Sequence, residues 1–205
     1  MDPWLILLPA FVMSALMIFS HTYLGLHVLA RGIIFVDLAL AQVAALGISL
    51  AFLLGEEPHG LTAQIYAFGA TLTAAFAFAG LRHIPGKTMR EVIIGCVYVV
   101  TTALSIVILS RSSQGMEELK SLFNGSILWV RWQEIVVVST AYLSLAILHG
   151  FFRKQFHALS FGTHEERSPG LLWEFLFFAS FAVVITLAVN IAGVLLVFAF
   201  LIIPA

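Results

Sequence analysis

The last thirty-five residues, Leu171 to Ala205, form one apolar run far longer than a buried strand or core helix requires. A helix of that length reaches about 52 Å, against about 30 Å for the hydrocarbon core of a bilayer. One straight span cannot use it all. Asn190 and Gly193 interrupt the pattern, so a break is expected between them, with one span on each side and the second ending at "LIIPA".

Composition agrees with membrane insertion. Hydrophobic residues make up 61% of the 205 and charged residues only 10%, where a soluble domain carries about 25% charged residues. Alternating strands of about ten residues are absent, which excludes a β-barrel. Charges, Gly and Pro divide the remainder into runs at Trp4–Leu29, Ile33–Leu54, Leu61–Leu81, Val92–Ser110 and Ile135–Phe152. The expected fold class is an all-α integral membrane protein, a polytopic bundle of about seven spans forming a single transmembrane domain over residues 1–205. The start, Met1-Asp2-Pro3-Trp4, has no basic segment or small-residue cleavage site and reads as a retained first span.

Orientation follows from Lys and Arg in the loops. Arg31 lies in the first, Arg82, Lys87 and Arg90 in the third, and Arg153, Lys154 and Arg167 in the fifth. The second has only Glu56 and Glu57, and the fourth is mixed. The odd loops are therefore expected in the cytoplasm and the N-terminus outside. A net charge of −1 offers no basic patch for nucleic acid.

Small residues crowd the second and third runs, from Ala39 to Gly47 and from Gly69 to Ala75, which suits close helix packing. Cys96, the one cysteine, excludes an internal disulfide and reads as a small buried hydrophobe. "GLRHIPGKT" lacks the spacing of a phosphate-binding loop, follows a membrane helix and contains Pro85, so it reads as a basic turn. "NGS" at Asn124–Ser126 matches a glycosylation sequon, a three-residue pattern common by chance.

"FVDLALAQVAALG", Phe35–Gly47, carries a carboxylate and an amide inside an apolar run. Burying a charge there costs at least about 2.5–3.5 kcal/mol, so Asp37 is a functional candidate by default. Divalent cations favour carboxylate and imidazole ligands. Asp37 and Gln42 are five residues apart, about 140° round a helix, so a regular helix cannot aim both at one ion. The bland alternative for each is hydrogen bonding across helices. His21 and His27 lie in the first run and can reach a central path; His149 reads as interfacial, and the other histidines as solvated loop residues.

These residues carry a resemblance. "FVDLALAQVAALG", "REVIIGCVYVVTTALSIVIL", "LFNGSILWV" and "AGVLLVFAFLIIPA" resemble, in order, the permease subunits of bacterial ABC importers for zinc and manganese. The similarity covers nearly the whole chain. It implies the helical fold of vitamin B12 and siderophore importer permeases, with further spans beyond "IIPA", so the chain reads as truncated relative to the family. The family's second-helix motif is Gly-Asp-Ala-Leu-Ser-His. Anchored on Gly47, its His falls on Gln42, its Asp on Leu38 and its Gly on Asp37.

The resemblance implies a permease that imports a divalent metal ion, zinc or manganese, as substrate and holds no permanent cofactor. It implies no enzyme activity in the chain itself; ATP hydrolysis belongs to a cytoplasmic ATP-binding subunit. The other implied partners are an extracytoplasmic metal-binding protein and a second permease copy in a homodimer, in the bacterial cytoplasmic membrane. Asp37, Gln42 and His27 are the candidate path residues. Gly162, Thr163, His164, Glu165, Glu166 and Arg167 stand where the ATPase-coupling segment is expected. The alternatives are a metal-chelate or cofactor permease of similar fold, and a truncated subunit that only assembles.

Overall fold

A computed structural model describes residues 3–58, 60–111, 114–162 and 170–205. They form eight α-helices: α1 (Pro3–Arg31), α2 (Val36–Leu53), α3 (Leu61–Gly80), α4 (Lys87–Leu109), α5 (Gly115–Asn124), α6 (Trp132–Phe151), α7 (Arg153–Phe161) and α8 (Leu171–Ile202). Six are long and apolar enough to cross a membrane, namely all but α5 and α7.

Two helices are interior. Within the apolar stretches, 72% of α2 and 61% of α8 is buried, against 22–33% for the other four. The outer helices thus turn large side chains such as Phe19, Phe76, Val99 and Leu143 outward, as lipid-facing helices do. Cys96 is also exposed on α4. The expectation of a buried thiol fails because the apolar solvent here is the bilayer, and an apolar run does not say which of its faces meets lipid.

Small residues set the central contact. A Cβ on Gly47 would lie 2.7 Å from the Ala67 Cα and the Tyr66 carbonyl, so α2 and α3 touch through backbone there. The start of α2 is fixed from α4: the Phe35 N–H donates to Glu91 Oε1 at 2.8 Å. That contact replaces a side-chain N-cap, which α2 lacks.

The expected break in the last run is present, and its consequence differs from the expectation. Gly193 has φ 74° and ψ 163°, non-helical values inside α8. A straight helix would separate Glu174 from Leu201 by about 40 Å. Yet Glu174 pairs with Arg31, and the Leu201 carbonyl lies against Gly25, six residues earlier on α1. Those contacts are only about 9 Å apart along α1. The chain therefore doubles back at Gly193. Val194–Ile202, about 14 Å long, is too short to span and returns as a half-helix. The count of about seven spans is corrected to six spans and this half-helix.

Both polar stretches between spans contain helices that periodicity did not flag. The first holds α5, and the second holds α7, which starts where α6 ends.

Candidate functional site

Asp37 occupies the second position of α2. It is fully buried, and neither carboxylate oxygen has a hydrogen-bond partner among the described residues. The first turn of a helix suits a carboxylate, because the backbone dipole presents its positive end there. Among the described residues, that partial charge is the compensation the structure shows. Gln42 is also buried, with both amide atoms unpartnered. α2 is a regular helix through both positions, so the two side chains leave it in different directions. Among the described residues, the cross-helix hydrogen bonds that would make either residue purely structural are not formed.

His27 is buried near the opposite end of α1 from the N-terminus. Its Nδ1 is hydrogen-bonded to Ser160 Oγ of α7 at 2.7 Å, and its ring packs among Tyr23, Phe161 and Phe177. None of these neighbours is on α2. Among the described residues, no three His, Cys, Asp or Glu side chains gather as a group fit to hold a metal ion.

His21 is fully buried on the same helix. Its Nδ1 lies 2.8 Å from the Met17 carbonyl, which can only accept, so Nδ1 carries the proton and Nε2 presents a lone pair. That Nε2 has no partner. The His21 ring meets Tyr142 edge-on at 6.2 Å, and Tyr142 is within electrostatic reach of Asp37.

Two features escaped the sequence reading. Arg31, assigned to a loop, is buried and ion-paired with Glu174 at the start of α8, with its guanidinium over Phe177 and Phe178 at 4.7 and 5.0 Å. The available signal was Glu174, a lone acid in the last apolar run. His149, assigned to the interface, is buried, stacked on Phe156 at 3.9 Å and hydrogen-bonded to the Tyr23 hydroxyl at 3.1 Å. Of the expected ATPase-coupling segment, Gly162 closes α7, while Thr163, His164, Glu165, Glu166 and Arg167 lie outside the described residues.

Beside the break in α8 lies a cavity of about 430 Å³ with a mixed polar and apolar wall that includes Gln64, Ser126, Trp129, Glu134 and Asn190. It stands at the end of the bundle opposite α7.

Comparison with known proteins places the fold and the family. The ABC 3 transport family matches residues 4–205. A Chlamydia pneumoniae protein named as a metal transport system membrane protein is 24% identical over 210 residues, covering 98% of this chain and 70% of that protein. Among solved structures, PsaBC from Streptococcus pneumoniae in complex with a Fab superposes with a TM-score of 0.69 at 18% identity, over 96% of this chain and 70% of that one. An inward-facing metal-chelate type ABC transporter superposes with a TM-score of 0.66 at 18% identity, over 91% of this chain and 62% of that one. At these identities the structural matches speak for the fold.

Proposed function

The chain belongs to the ABC 3 transport family, and from that premise we propose that it is the membrane-spanning permease subunit of an importer for a divalent metal ion, zinc or manganese. One observation carries the reading: Asp37, wholly buried in the most enclosed helix, has no hydrogen-bond partner for either oxygen among the described residues. An unpaired buried carboxylate is costly, and a passing cation is the partner that would relieve it. The name of the Chlamydia relative supports a metal as the cargo and specifies no particular ion. His27 and Gln42 are the further path candidates.

In this reading a transported ion meets few protein ligands at a time. Weak, incomplete coordination suits a carrier, which must release what it binds. Energy comes from a separate cytoplasmic ATPase that engages Gly162–Arg167, and an extracytoplasmic protein delivers the ion. Two permease copies pair in the bacterial cytoplasmic membrane, with the N-terminus outside. A metal chelate is the second reading, favoured by a cavity at the α8 break roomier than a bare ion needs.

The test is reconstitution with a co-purified ATPase subunit and a metal-binding protein of the same importer class. ATP-dependent accumulation of zinc or manganese is expected in proteoliposomes. An assembled, ATP-hydrolysing complex that accumulates neither ion, free or chelated, would overturn the proposal.

A further inference from the structure

Helix α7 has one face pinned to the bundle and one face free. On the pinned face, Phe156 is fully buried, stacks on His149 with ring planes 1° apart, and meets Trp173 edge-on at 5.9 Å. Ser160 is held by His27. His149, His27 and Trp173 belong to the last turns of α6 and α1 and the first turn of α8. α7 therefore does not project into water. It lies beside the ends of three spans, and the ends of apolar spans are where chains of this kind meet the headgroup region.

The free face joins two chemistries. Arg153, Lys154 and His157 are exposed. Arg153 and Lys154 make no ion pair among the described residues, and α7 itself contains no acid. Phe151, 81% exposed, ends the preceding span, and Phe161, 47% exposed, ends α7. Cations between two outward phenylalanines match the boundary between lipid phosphates and acyl chains.

We propose that the Arg153–Lys154–His157 face of α7, bounded by Phe151 and Phe161, binds the phosphate headgroups of anionic phospholipids in the leaflet it borders. That leaflet is the cytoplasmic one in the orientation proposed above, and the site does not depend on the cargo. Charge complementarity favours lipid. The exposed Phe151 and Phe161 beside the cations favour it over a purely polar protein face, and the ATPase proposed above engages Gly162–Arg167, the residues that follow α7. Because α7 is tied to α1 through His27 and to α6 through His149, lipid held on its outer face also fixes the ends of those two spans.

The experiment uses the full chain in phosphatidylcholine vesicles carrying spin-labelled phosphatidylglycerol or spin-labelled phosphatidylcholine. The motionally restricted fraction of each label is compared. Wild type is expected to select phosphatidylglycerol, and added salt should erode the preference. Each charge near the surface contributes about 1 kcal/mol, so Arg153→Gln and Lys154→Gln should each lower the preference about fivefold and together abolish it. Lys120→Gln, on α5, should change nothing. No preference in wild type, one insensitive to salt, or one that survives in both single variants would overturn the proposal. So would a double variant that loses a co-expressed ATPase while keeping its phosphatidylglycerol preference, since the face would then be a protein interface.

Discussion

Gly125 and Gly193 meet backbone to backbone at the break in α8, both in the left-handed region, with φ of 65° and 74°. A Cβ on Gly125 would strike Ala192 and the Gly193 nitrogen, and one on Gly193 would strike Asn124 and Gly125. Beside them the Ser126 N–H donates to the Ile191 carbonyl at 2.9 Å, which satisfies an acceptor that the break sets free. The "NGS" triplet, a chance sequon as a pattern, is the seat on which the last helix reverses.

Substituting either glycine should therefore damage the fold. Gly193→Ala and Gly125→Ala each force a side chain into a conformation costing about 1–3 kcal/mol, before any steric overlap. Membrane abundance and the Tm in detergent should fall for both. Gly69→Ala, on an exposed helical position with nothing within 4 Å of the new Cβ, should be neutral or slightly stabilising. Equal behaviour of all three would refute the backbone joint.

The buried pair of Arg31 and Glu174 ties the end of α1 to the start of α8. Removing one partner strands a charge, and Glu174→Leu or Arg31→Leu should cost about 3–5 kcal/mol. Arg31→Leu combined with Glu174→Leu should cost less than either single change. A thermal unfolding series arranged as a double-mutant cycle reads the coupling, and additive losses would count against it.

Asp37 separates a path residue from a structural one. Asp37→Asn keeps the shape and removes the charge, so zinc and manganese uptake should fall at least about tenfold while abundance stays near wild type. If the residue merely holds helices together, Asn can still hydrogen-bond and uptake survives, while Asp37→Leu lowers abundance. Near-normal transport of both ions by Asp37→Asn would assign it a structural role.

Orientation is open to labelling. Glu57 and Lys87 are exposed at opposite ends of the α3 span. Cysteines placed at each, with Cys96→Ser to remove the exposed thiol, should react with impermeant reagents from opposite sides. Glu57→Cys is expected to label from outside. Reaction of both from one side would overturn the arrangement.

Hydropathy alone determined that this chain is a helical membrane protein and located its first five spans and the start of the last, because a bilayer leaves the backbone only a few ways to satisfy its polar groups. It also located the break near Gly193, since an amide and a glycine stand out in a run otherwise apolar. It could not say that the chain reverses there. That outcome depends on Gly125 and Gly25, distant residues without side chains to obstruct a close approach, and no local pattern encodes which backbones will meet. The same limit applied to side chains. The apolar run around Asp37 marked it as costly, yet its lack of partners, the pairing of Arg31 with Glu174, and the stacking of His149 on Phe156 were decided by packing. Lipid faces and core faces are equally apolar, so only the tertiary structure could tell Cys96 from a buried residue and Gln42 from an exposed one.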